Sequence, residues 1–116
     1  AKDIPASECR RILEARGFKY PRPAKIISLM MCKGGVGKTT TSLFLSQRLS
    51  SYGAKVLSID ADSQGNLTSA FNLDLYKFDI DEQVPVLVDV LEEKVSIEEA
   101  IIAVTPNLHL IPSTPY

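Results

Sequence analysis

The chain has 116 residues, room for one domain with a core of its own and no second one. With 45% hydrophobic and 23% charged residues it has the composition of a soluble globular fold, which excludes a disordered or fibrous chain. No apolar run approaches the roughly 18 residues needed to span a bilayer, and no signal-peptide-like apolar region opens it. The net charge of −1 conceals a division: residues 1–38 carry nine Lys/Arg against three Asp/Glu, and residues 39–116 carry four against eleven. Such a basic leading segment is either a surface for the phosphates of nucleotide or nucleic acid, or a solvated helix face. Cys9 and Cys32 fit no metal-ligand spacing and read as reduced thiols of a cytoplasmic protein.

Residues 5–16 read as a short helix, with Pro5 in its first turn, Gly17 as its C-terminal cap, and Cys9, Ile12 and Leu13 on one apolar face. Tyr20-Pro21-Arg22-Pro23 is a stiff linker, because two prolines forbid helix and restrict their neighbours. Residues 1–24 are therefore an N-terminal extension, and residues 25–116 the main domain. Lys25–Met31 is nearly continuous in apolar residues, as a strand buried on both faces of a parallel sheet would be. A helix follows to about Ser51, ended by Tyr52-Gly53, and Lys55–Ile59 is a second strand. Two strands joined by such a helix predict a right-handed, parallel βαβ unit.

Between the first strand and that helix lies Cys32-Lys33-Gly34-Gly35-Val36-Gly37-Lys38-Thr39-Thr40. Its spacing is that of the phosphate-binding pattern G-x-x-x-x-G-K-[ST], with Cys32 where the first glycine would stand. Glycines let the backbone wrap closely, and the N–H groups so exposed join a helix N-terminus in a concave anion site. Lys38 would face the β- and γ-phosphates and the Thr39 hydroxyl would hold Mg²⁺.

Asp60-Ala61-Asp62-Ser63-Gln64-Gly65-Asn66 stands at the carboxyl end of the second strand, where open α/β sheets bind ligands. Two carboxylates at i and i+2 serve Mg²⁺ and a catalytic water, or else form a solvated turn in which Asp62 or Ser63 caps a helix. Beyond it the sequence predicts a short helix at 67–71, an acidic loop at 79–82, and a helix over Val86–Glu93. A capping box from Ser96 to Glu99 opens a helix reaching about Ala103, and a third strand spans Leu108–Ile111. His109, within that strand, reads as a structural or surface histidine.

These residues carry a family likeness. Lys33 to Thr40 resembles the deviant Walker A loop of the ParA/MinD superfamily, marked by its early lysine. Asp60 to Thr68 resembles the switch I segment of the ParA/Soj branch, with Ser63 in place of the usual proline. Val88–Leu91, Val95–Ile101 and Asn107–Ser113 resemble that branch as well, so the likeness covers about residues 25–116.

What the resemblance implies is an α/β fold with a P-loop NTPase-like parallel sheet flanked by helices. The activity it implies is ATP hydrolysis with Mg²⁺, serving plasmid or chromosome segregation. The partners it implies are a second copy of the chain in an ATP-dependent homodimer, a ParB-type centromere-binding protein and non-specific DNA. No membrane is among them, and the location is cytoplasmic and nucleoid-associated. It assigns the nucleotide to Lys33, Gly34, Gly35, Val36, Gly37, Lys38, Thr39 and Thr40. Lys33 reaches the partner subunit's phosphates, Asp62 orients the attacking water, and Thr39 and Asp60 serve the metal. The family's Walker B strand, adenine-recognition segment and DNA-binding surface would follow Tyr116. Residues 25–116 are thus expected to be the N-terminal part of an ATPase domain, inactive in isolation. Residues 1–24 resemble the tail of a helix-turn-helix extension. The alternatives are a MinD-like division-site ATPase at the membrane and a non-catalytic partner-binding fragment.

Overall fold

The computed structural model describes residues 4–20, 23–30, 37–71 and 84–113. Helix α1 (Ala6–Ala15) leads to α2 (Lys38–Ser51), strand β1 (Val56–Ile59), two short helices α3 (Asn66–Ala70) and α4 (Leu87–Leu91), and the hairpin of β2 (Ile102–Thr105) and β3 (Leu108–Ile111). The chain is α/β, as expected, and its sheet is mixed. β3 lies in the middle, parallel to β1 with Val56 opposite Leu108 and Ile59 opposite Ile111, and antiparallel to β2.

The core gathers on β3. Leu108, Leu110, Ile111 and the following Pro112 are fully buried, joined by Ala100, Val86 and Leu67. α2 closes on β1 and α3 through small side chains. Ser46 and Ser50 are buried on it, and Ser46 Oγ lies 2.6 Å from Ser58 Oγ of β1 in a hydrogen bond that spares both hydroxyls an unpaired burial. Alternation turns Leu57 and Ile59 to the other face of β1, where both are exposed.

Three sequence expectations need correction. Residues 24–30 form no strand and are exposed throughout, with Ile26 94% and Met30 84% accessible. A strand exists only where a neighbouring backbone completes its ladder. Both edges of β3 are taken, by β1 and β2, and no described strand lies beside 24–30. The parallel partner of β1 is accordingly β3 rather than residues 25–31. Third, the helix opened by Ser96 is a single 3₁₀ turn, Glu98–Ala100. Half of the predicted box is present, the Glu99 N–H donating to Ser96 Oγ at 3.3 Å. After Ala100 the β-branched run Ile101-Ile102 and Val104-Thr105 favours strand, and pairing with β3 settles it.

α1 matches its expected span and ends as expected. Gly17 has φ +90°, its N–H bonds Glu14 O and the Phe18 N–H bonds Leu13 O, the two bonds of a Schellman motif. Its apolar face is only half covered: Cys9 and Leu13 are half-buried, and Ile12 is exposed. What docks the helix is polar. Arg10 Nη1 donates to Gly53 O at 3.0 Å, its guanidinium lies 4.2 Å from the centre of the Tyr20 ring, and Tyr20 donates its hydroxyl to Tyr52 O. The turn after α2 is thereby pinned from outside. Gly53 has φ +92°, and a Cβ there would stand 2.4 Å from Arg10 Cβ. The acidic loop at 79–82 lies outside the described residues.

Candidate functional site

Two stretches of chain build the site, the start of α2 and the carboxyl end of β1. α2 is entered through Gly37, whose φ of +84° and ψ of 11° are left-handed. Among the described residues no atom beyond its chain neighbours and its own helix backbone lies within 4 Å of where its Cβ would be, so the dihedral is what selects glycine. The first helical bond runs from the Thr41 N–H to Gly37 O at 2.9 Å, so the ladder of α2 starts from Gly37. Among the described residues no side chain caps this end, and its first turn holds no acidic residue. Fourteen aligned peptide units thus present positive potential where Lys38 adds a full charge. Lys38 and Thr39 are half-buried and Thr40 is exposed. Lys33, Gly34, Gly35 and Val36 lie outside the described residues.

The second stretch is held by hydrogen bonds. Asp60 is 3% exposed. Its Oδ1 accepts from the Asp62 N–H at 3.1 Å. Its Oδ2 accepts from the Thr68 N–H at 2.9 Å and from the Thr68 hydroxyl at 2.7 Å. Asp62 is exposed and organises the turn ahead of α3, its Oδ1 accepting from the Gln64 N–H at 3.0 Å and its Oδ2 from Asn66 Nδ2 at 3.1 Å. Asp62 therefore sits in the solvated turn foreseen in sequence but does not cap the helix: the N-cap of α3 is Gly65, and among the described residues no side chain bonds there. α2, which opens with Lys38–Thr40, packs on both β1 and α3, the elements that flank Asp60–Asp62 in the chain.

The donors fit a magnesium nucleotide better than a protein-built metal cage. Among the described residues no three His, Cys, Asp or Glu side chains come together. A threonine hydroxyl and one or two carboxylates are the hard-oxygen set that Mg²⁺ takes when phosphates and water complete its shell. Sequence reasoning assigned no role to Thr68 or Ser113. The Ser113 N–H donates to Thr68 Oγ1 at 2.9 Å, which ties the end of β3 to the residue holding Asp60. A β-branched hydroxyl beside Leu67 on the buried side of a short helix is the signal that could have found it.

Comparison with known proteins gives a consistent picture. The family model described as AAA domain matches residues 24–116. Sporulation initiation inhibitor protein Soj of Bacillus subtilis is 42% identical over 91 residues, which are 78% of this chain and 34% of that protein. An uncharacterized protein of Mycobacterium tuberculosis is 39% identical over 93 residues, 78% of this chain and 28% of its own. Among solved structures, a putative plasmid partition protein of Borrelia burgdorferi bound to AMPPNP superposes with a TM-score of 0.63 at 42% identity, over 72% of this chain and 34% of that one. The chain spans about a third of the length of these relatives. The chain belongs to the AAA domain family, and within it to the ParA/Soj type.

Proposed function

We propose that the protein bearing this sequence hydrolyses ATP to partition plasmids or chromosomes in the cytoplasm, on the nucleoid. In this reading residues 25–116 supply the N-terminal part of its ATPase domain and residues 1–24 an extension. The observation that carries the reading is the start of α2: a left-handed glycine and a first turn with no acidic residue, then Lys38-Thr39-Thr40, on a helix packed against the strand that leads into Asp60. The relatives support it, one of them a partition protein bound to an ATP analogue.

Within this reading Gly34, Gly35, Val36 and Gly37 wrap the phosphates. Lys38 compensates the β- and γ-phosphate charge of its own nucleotide, and Thr40 bonds the α-phosphate. Thr39 and Asp60 would hold Mg²⁺, which would supply charge neutralisation at the phosphates. Asp62, exposed on its turn, accepts a hydrogen bond from the attacking water and orients it. Lys33 reaches across a homodimer to the partner's phosphates and offsets charge that grows in the transition state. Nucleotide thereby governs the dimer, its non-specific hold on DNA and its response to a ParB-type protein.

The test uses the full-length protein. Lys33→Ala is expected to bind ATP nearly as the wild type does and to lose hydrolysis, while Asp62→Ala accumulates as an ATP-bound dimer in size-exclusion chromatography. Turnover near wild type in Lys33→Ala, or monomers alone in Asp62→Ala with ATP, would refute the corresponding role.

A further inference from the structure

Asp60 is joined to β3 twice. Its own N–H donates to Ile111 O at 3.1 Å, and its carboxylate reaches Ser113 through Thr68. The hydroxyl between them has one proton and one assignment. Ser113 offers an N–H, so Thr68 Oγ1 must accept there, and its single proton is left for Asp60 Oδ2. The Thr68 N–H adds a second bond to the same oxygen. With Asp60 3% and Thr68 5% exposed, water competes for neither bond. The Leu87 N–H donates to Pro112 O at 2.9 Å, which brings the start of α4 into the same knot.

We infer that Thr68 is a positioning residue for Asp60. Its hydroxyl fixes the carboxylate's rotamer and transmits the position of the Pro112-Ser113 end of β3 to the oxygen beside the magnesium shell. The inference rests on the proposed magnesium role of Asp60. Valine has the same shape as threonine and lacks both functions of the hydroxyl. In Thr68→Val, Asp60 Oδ2 loses one of its two donors, and the Ser113 N–H loses its acceptor. Serine keeps both functions and loses only a methyl group.

The experiment titrates Mg²⁺ against a fluorescent ATP analogue at fixed concentration in the full-length protein. For Thr68→Val the expected result is a rise of about tenfold in the Mg²⁺ concentration at half-saturation. Affinity in EDTA is expected to be unchanged, and Thr68→Ser to return to within about twofold of wild type. Hydrogen exchange at the Ser113 amide is expected to quicken in the valine variant and stay protected in the serine one. Should Thr68→Val not fold, Thr68→Ala removes the same hydroxyl in the same titration. A wild-type Mg²⁺ midpoint in the folded hydroxyl-less variant overturns the inference alone. So does a serine variant as impaired as the valine one, since the role would then be packing. A wild-type protein whose nucleotide binding ignores Mg²⁺ overturns the metal assignment and the inference with it.

Discussion

Residues 24–30 and residues 108–111 are both rich in large apolar side chains, yet the first stretch is exposed along its length while the second is the middle of the sheet. The difference lies in the backbone. β3 has β1 on one side and, on the other, β2 delivered by the tight turn at Pro106-Asn107. Its far end is knotted to Asp60, Thr68 and Leu87 by hydrogen bonds. Residues 24–30 have no ladder partner among the described residues. Apolar side chains say that a segment needs cover, and only neighbouring N–H and C=O groups make it a strand.

Stability measurements on the 116-residue chain can break this comparison. The largest loss is expected for Leu110→Ala, which empties a fully buried site in β3 and should cost about 2–5 kcal/mol in urea unfolding. Next comes Gly53→Ala, at about 2–4 kcal/mol, because left-handed strain is added to the clash with Arg10. Gly37→Ala carries the strain without the clash and should cost about 1–2 kcal/mol. Equal losses at the two glycines would mean that α1 does not press on Gly53. Smallest of all is Ile26→Ala, expected within about 0.5 kcal/mol. A loss there equal to that of Leu110→Ala would place residues 24–30 in the core and erase the contrast.

Local rules carried much of this structure in the sequence. Gly17 and Gly53 mark helix ends because αL caps need glycine, and Gly37 marks the start of α2 for the same dihedral reason. The short helix after Asn66, the α4 helix and the β3 strand also stand where composition put them, within a few residues. What pattern could not supply was pairing over long separations. The apolar run Lys25–Met31 reads as a strand because continuous apolar character reports burial and not partners. The helix after Ser96 looked longer because its capping signal was real while the downstream competitor, β3, was not visible locally. At the site, spacing left Asp60 and Asp62 as two carboxylates for Mg²⁺ and a water or as a solvated turn, and only the family resemblance gave them separate roles. Burial of one carboxylate under Thr68 and exposure of the other arise from the α3 packing, which no spacing rule encodes. The docking of Arg10 on Gly53 is likewise a contact between residues 43 apart.

The central claim is that the turn into α2 grips a nucleoside triphosphate, and equilibrium binding of a fluorescent ATP analogue with Mg²⁺ to the full-length protein tests it most directly. Saturable binding by the wild type, weakened about a hundredfold or more by Lys38→Ala, is the predicted result. No binding by the folded wild-type protein, or equal binding by the variant, would contradict it.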